Sequence, residues 1–242
     1  MKLVEPKVTI VDHFVPTELV RKIELAARTC YQSNDDKKIT DPEKFISNII
    51  KKGHTSVIEH ASISFRVISD RGVVYELIRH RLGSYSQEST RYVKYDNDVQ
   101  FIRHINEPLQ GVICEINKRC EEDYNRLLSV GALPQIARQA LNNGVKTEIY
   151  VTMNVRELRH FFSLRADKAA HPYMKEIAIP FLIKMKKLLP CLFEDIPYDE
   201  KFYEERLKGF VDDMVTFDCE YDLSKWTHDD ECHFERLELI EE

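Results

Sequence analysis

Residues 79 to 91 read RHRLGSYSQESTR: two arginines flank a histidine, and hydroxyl side chains follow at once. A planar guanidinium grips phosphate or carboxylate oxygens through paired hydrogen bonds, which a lysine ammonium cannot copy. The stretch Leu82 to Tyr95 holds Ser84, Tyr85, Ser86, Ser89, Thr90 and Tyr92 with Gln87, Glu88 and Arg91, and almost nothing apolar. It builds no core. Rich in donors and poor in acceptors, it suits an anion attached to a hydrogen-bonding heterocycle. Arg138, Arg156 and Arg165 join Arg79, Arg81 and Arg91 as candidate anion binders. A lone exposed arginine is usually a solvated ion pair of little worth; clustering with hydroxyls sets Arg79, Arg81 and Arg91 apart.

The elements that position them follow from periodicity. Lys7 to Asp12 alternates as a strand, and Thr17 is expected to cap a helix carrying Leu19, Ile23, Leu25 and Ala26. Asp41, Pro42 and Glu43 open a second helix that Gly53 ends, so His54 begins a loop. Ala61 to Ile68 alternates as a half-buried strand, and Asp70 caps a helix that delivers Arg79, His80 and Arg81 at its C-terminal end. Leu82 to Tyr95 reads as a loop. Helices are expected at Gln110 to Val130, Leu133 to Ala140, Val155 to Leu164 and Pro172 to Leu189, with a strand at Lys146 to Met153. Few strands and long helices without repeated βαβ units predict an α+β fold, a single domain with one small antiparallel sheet flanked by long helices.

Composition excludes several classes. Seven glycines, at 53, 72, 83, 111, 131, 144 and 209, never lie two apart, which removes a Rossmann fingerprint and a P-loop. A bound nucleotide or flavin must therefore be held by side chains and helix ends. The longest apolar run, Ile177 to Ile183, is far short of the roughly 20 residues that span a bilayer. Met1 to Ile10 is too charged for a signal peptide, so a soluble, cytoplasmic protein is expected. Six cysteines without a CxxC pair read as free thiols. A zinc site from Cys219, His228, Cys232 and His233 matches no known tetrahedral spacing, and no metal is expected. The net charge of −6 hides an asymmetry: residues 196 to 242 carry 16 acidic and 5 basic residues, leaving 30 basic against 25 acidic in residues 1 to 195. That change divides the chain into a catalytic domain, 1–195, and an acidic C-terminal extension, 196–242. The extension reads as a solvated segment, or more sharply as a lid or subunit contact shielding the basic part.

The motif resembles the hallmark of the flavin-dependent thymidylate synthases, Arg-His-Arg, seven residues, then Ser, matched by Arg79-His80-Arg81 and Ser89. GHTSVIEH (Gly53 to His60), Arg138 and NVRELRHFFSLRAD (Asn154 to Asp167) extend the resemblance in order over most of residues 1 to 190. It implies reductive methylation of deoxyuridylate (dUMP) to thymidylate, with 5,10-methylenetetrahydrofolate supplying the carbon and NADPH supplying electrons through FAD. It also implies a homotetramer whose sites form where subunits meet. By resemblance, His54, Ser56, Arg79, His80, Arg81, Gln87, Asn154, Val155, Arg156 and His160 lie against the flavin. The uridylate pocket takes Glu76, Leu77, Ile78 and Arg79, then Gln87, Glu88, Ser89, Thr90 and Arg91, then Arg138 and Arg165. Ser86-Gln87 stands where many members have Asn-Glu, Glu76 where they have Gln, and His160 where they have Asn.

Within that reading Arg165 is the catalytic residue. Loss of the N3 proton helps make C5 of uracil a carbon nucleophile, and a guanidinium against the pyrimidine edge stabilises the anion. Arginine stays protonated, so it is no general base. Ser89 reads as a hydrogen-bond donor, since a serine attacks nothing without an adjacent base. None of the six cysteines sits in the motif. Two rivals are kept: a family member that binds FAD and dUMP without turnover, and a nucleic-acid module using the arginines and tyrosines of residues 71 to 104. The pI near 5.9 argues against the second.

Overall fold

Asp41 and Asp70 start two of the helices by the same device, a carboxylate accepting from an orphan amide of the first turn. Asp41 Oδ1 takes the N–H of Lys44 at 3.0 Å, and Asp70 Oδ1 that of Val73 at 2.8 Å. The computed structural model describes residues 1–12, 15–31, 41–95 and 97–218. Its strands are β1 (Lys2–Val4), β2 (Lys7–Ile10), β3 (Ser62–Asp70), β4 (Ser84–Gln87), β5 (Gln100–Ile102), β6 (Lys146–Asn154) and β7 (Val215–Phe217). The α-helices up to residue 188 are α1 (Pro16–Tyr31), α2 (Pro42–Lys51), α3 (Arg71–Leu77), α4 (Gln110–Ser129), α5 (Pro134–Ala137), α6 (Val155–Arg165) and α7 (Pro172–Leu188). Pro16 opens α1, so Thr17 lies inside the first turn and is not its cap. Gly53, at φ +78°, ends α2 as expected, and a 3-10 turn, Thr55–His60, follows it in place of an open loop.

The main sheet runs β4-β6-β3-β2-β7, antiparallel except where β7 joins β2 in parallel, and β1 pairs with β5 in a second, parallel pair. Its central ladder pairs β3 with β6 from Ser62 opposite Asn154 to Asp70 opposite Lys146. Alternation decides the faces: Ile63, Phe65 and Val67 of β3 and Ile149, Val151 and Met153 of β6 are all buried. Phe65 meets Phe181 of α7 at 4.8 Å between centroids, and Phe162 of α6 meets the same ring at 5.2 Å. Helices α6 and α7 therefore cover that face. The stretch read as a loop, Leu82 to Tyr95, contains β4, because backbone pairing with β6 needs no apolar side chain at a sheet edge.

Composition changes at residue 196, but packing does not stop there. Leu207, Met214 and Val215 belong to the main core, and Lys175 of α7 pairs with Asp199 at 2.9 Å in buried surroundings. Arg206 donates to the carbonyl of Ile105 at 2.8 Å and to Glu107 at 3.1 Å. Residues 219–242, with Cys219, His228, Cys232 and His233, lie outside the described residues. Among the described residues no group of three His, Cys, Asp or Glu is placed to hold a metal, and no helix is long and apolar enough to cross a membrane.

Candidate active site

Helix α3 ends at Leu77, and a tight turn then places Arg79, His80 and Arg81. The His80 carbonyl fixes that turn, accepting the Gly83 N–H at 3.0 Å and the Tyr85 hydroxyl at 2.5 Å. Tyr85 also donates to the Leu77 carbonyl at 3.2 Å, and burial pushes its phenol up to about 12. A Cβ at Gly83 would sit 2.7 Å from the Tyr85 oxygen, so a larger residue there would displace that hydroxyl from its two carbonyls. The backbone of the motif is thus locked from the β4 side.

Helix α6 supplies the other half. Its cap is Asn154, whose Oδ1 accepts the Glu157 N–H at 2.8 Å, and Glu157, Phe161 and Arg165 follow on one stripe at four-residue spacing. That stripe meets buried His80: Glu157 Oε1 lies 3.1 Å from Nδ1, the Phe161 ring packs edge-on at 5.2 Å, and Arg165 Nε donates to Nε2 at 3.1 Å. An imidazole nitrogen that accepts from a guanidinium carries no proton, so His80 is neutral and protonated at Nδ1, which donates to Glu157. Burial and the Arg165 charge agree, both lowering the His80 pKa. The rest of the Arg165 fork is taken by Glu76, through Oε2 at 2.9 Å and the backbone carbonyl at 3.2 Å. Its orientation is therefore set by three acceptors before any ligand arrives. Glu76 and Arg165 face an open cleft of about 530 Å³, with Ser163, Asp167 and His171.

Residues grouped by resemblance on the flavin side lie around the start of α6. The Val155 N–H bonds to the Ala61 carbonyl at 2.8 Å, which joins the 3-10 turn carrying Ser56 to the segment carrying Asn154 and Arg156. Arg156 pairs with Glu59 of that turn at 2.5 Å; His54 and Ser56 are exposed beside it. Val155 is fully buried and can offer a ligand no side-chain contact. His160 lies one turn beyond Arg156, its ring 5.6 Å from that of His80, and links this group to the Arg165 cluster. Arg79 and Arg81 are exposed, and neither side chain finds an acceptor among the described residues.

The remaining expected residues fall elsewhere in the chain. Leu77 is buried in the core, while Ile78 is exposed at the helix end. Gln87 donates to Thr147 at 3.1 Å. The Glu88 carboxylate is spent internally on Tyr95, Lys146 and the Glu148 amide at 2.7, 3.0 and 3.2 Å. Ser89 Oγ accepts the Arg91 N–H at 3.3 Å, and the Arg91 guanidinium lies over Tyr92. Thr90 is buried and accepts from Arg138 at 3.3 Å in a separate polar cleft of about 270 Å³. One chain thus holds two clusters, one around Arg165 and one around Arg138.

Sequence reasoning missed Glu157, although the spacing of Glu157, Phe161 and Arg165 on α6 carried the signal. It also missed a buried chain beneath α3, where His104 Nδ1 lies 2.9 Å from Glu176 and Nε2 lies 3.4 Å from Asp70, with the Tyr173 ring stacked at 3.4 Å. Burial lowers His104 to about 4 and raises Glu176 to about 9. His104 lies 34, 69 and 72 residues from Asp70, Tyr173 and Glu176, beyond any local pattern.

Residues 9–191 match the family described as thymidylate synthase complementing protein. The flavin-dependent thymidylate synthase of Geobacter sulfurreducens is 34% identical over 202 residues, 78% of this chain and 86% of that protein. The enzyme of the same description from Mycobacteroides abscessus is 32% identical over 194 residues, 72% of this chain and 78% of that protein. The crystal structure of the UMP/dUMP methylase PolB from Streptomyces cacaoi bound with 5-Br dUMP superposes with a TM-score of 0.67 at 24% identity, covering 80% of this chain and 96% of that one, and so shares the fold. With the Arg-His-Arg turn, the capped α6 and its arginine in place, this chain belongs to the flavin-dependent thymidylate synthase family of enzymes.

Proposed function

We propose that the chain converts dUMP to thymidylate with FAD as cofactor and 5,10-methylenetetrahydrofolate and NADPH as co-substrates. The observation that carries the reading is Arg165, held by Glu76 and His80 beside two arginines that have no partner within the described residues. The donor set fits a flavin dinucleotide: Arg79 and Arg81 offer free forks to pyrophosphate oxygens, while His54, Ser56, Asn154, Arg156 and His160 offer polar groups to the rest. When bound, FAD supplies the two-electron exchange between NADPH and the carbon being reduced.

The chain's own residues prepare the pyrimidine. Arg165, already oriented, meets the uracil edge and stabilises the charge left when N3 gives its proton to solvent, which raises electron density at C5. Glu76 holds the guanidinium in place, and neutral His80 accepts from Nε without adding a competing positive charge. Glu157 keeps His80 in the tautomer that allows this. Thr90 and Arg138 take the phosphate, and Ser89 and Gln87 donate to the nucleotide. Exposed Leu82, Tyr92, Leu133, Ile136 and Leu164 border these segments, and a homotetramer that buries them would bring an Arg138 cluster to an Arg165 cluster of another copy. Cys30, Cys114, Cys120 and Cys191 are free thiols, which suits a cytoplasmic setting.

The test is an absorption spectrum of protein incubated with FAD and desalted, then anaerobic NADPH with and without dUMP, with the product identified by mass. UMP runs beside dUMP, because the Streptomyces neighbour is described as acting on both. Retained flavin, bleaching stimulated by dUMP, and a product one methyl heavier are expected. A yellow protein that binds dUMP and makes no product would indicate the inactive alternative. A colourless protein that binds an oligonucleotide in a salt-dependent manner would overturn the reading.

A further inference from the structure

The cleft that holds Arg138 has a second guanidinium that no motif singled out. Arg71, the first residue of α3, lines it with Tyr75, Thr90, Arg138, Gln139, Asn142 and others. Its backbone is pinned there, since its N–H bonds to the Val145 carbonyl at 3.2 Å and that of Gly72 to the Asn143 carbonyl at 3.3 Å. Its guanidinium carbon sits 5.9 Å from the centroid of the Tyr75 ring. One terminal nitrogen, Nη1, is buried and has no hydrogen-bond partner. A buried, charged donor left without an acceptor is costly, and one that faces a polar cleft is placed to be satisfied by an anion entering it. No carboxylate lines the cleft. The nearby Glu88 is already committed to Tyr95, Lys146 and the Glu148 amide. Thr90 accepts from Arg138, which leaves its own O–H to donate.

Two guanidiniums, a hydroxyl donor and side-chain amides without an opposing anion form a site for a dianion. We propose that Arg71 is a substrate-binding residue that, with Arg138 and Thr90, grips the 5′-phosphate of the nucleotide. This rests on the nucleoside monophosphate reading above and adds a residue to it. The Tyr75 ring beside the guanidinium and the pinned backbone restrict the fork, so less side-chain entropy is lost on binding.

The experiment compares dUMP with deoxyuridine, which lacks only the phosphate, by titration calorimetry on flavin-loaded enzyme. Wild type should bind dUMP far more tightly than deoxyuridine. Arg71→Ala should weaken dUMP about 10- to 100-fold, the usual scale for a lost hydrogen bond to a charged group, and leave deoxyuridine unchanged. Arg71→Lys, which keeps the charge and loses the fork, should fall between them. It also serves as the test should the alanine variant not fold. A purely structural Arg71 would shift both ligands together, and that result, or dUMP affinity unchanged in either variant, overturns the proposal. A wild type that binds neither ligand would instead remove the functional reading on which it rests.

Discussion

Glu176 has no exposed surface, and its carboxyl is raised from 4.5 to about 9, chiefly by burial, with Arg206 3.9 Å away pulling the other way. At neutral pH it is therefore protonated. Its O–H then donates to His104 Nδ1 across 2.9 Å while its other oxygen accepts the Ile105 N–H at 3.1 Å. A glutamine reproduces both bonds, with its amide nitrogen donating and its oxygen accepting, so Glu176→Gln should fold normally. The linkage follows from the raised native pKa: between the two values the unfolded chain has lost the proton and the folded chain keeps it. The stability contributed is full below 4.5 and is lost as pH rises toward 9, by about 1.4 kcal/mol per pH unit. The variant has no such loss. From pH 6.5, above the ordinary range of His104, to pH 8.5, its stability relative to wild type should rise by about 2.7 kcal/mol. Urea unfolding of both proteins at half-unit steps measures the difference directly. A difference constant to within about 0.5 kcal/mol across that window would mean that Glu176 is ionised in the native protein, and the hydrogen-bond assignment would be refuted.

Arg165→Lys keeps a positive charge but cannot donate to His80 and Glu76 together, so thymidylate formation should fall about 100-fold or more with flavin retained; an assay showing wild-type rates would remove Arg165 from catalysis. Glu157→Leu leaves the buried His80 Nδ1–H without an acceptor and should cost about 1–3 kcal/mol in urea unfolding, whereas Glu157→Gln should cost little. Equal stability of the two variants would contradict the tautomer assigned to His80. Leu207→Ala, in the acidic segment, should lose about 2–5 kcal/mol because Leu207 is fully buried in the main core. A loss below about 0.5 kcal/mol would instead describe a solvated segment.

Much of the fold was legible because its determinants are local. Asp70 before an apolar helix, Gly53 after one, and the alternation of Ile63, Phe65 and Val67 each act within a few residues. β4 was not legible, since Ser84 to Gln87 gains its pairing from β6, more than sixty residues away, and shows almost no apolar signal. β7 escaped for a related reason: three residues inside an acidic segment become a strand only because β2 presents an open edge. Net charge marks a compositional change at 196, but charge reports solvation of the surface and not where the core ends, and Leu207, Met214 and Val215 beyond it belong to the main core.

The candidate site divides along the same line. Sequence alone determined the residue types and their family, because a guanidinium pair around a histidine, a hydroxyl-rich run and a second arginine helix are chemistry written in consecutive residues. Tertiary structure alone decided what those groups do to one another. Arg165 reaches Glu76 and His80 across 89 and 85 residues, Glu157 sets the tautomer of His80 across 77, and Arg71 enters the cleft of Arg138. Hydrogen bonds of about 3 Å depend on the packing of α3, α6 and β4 against one another, and no spacing within a single segment encodes that.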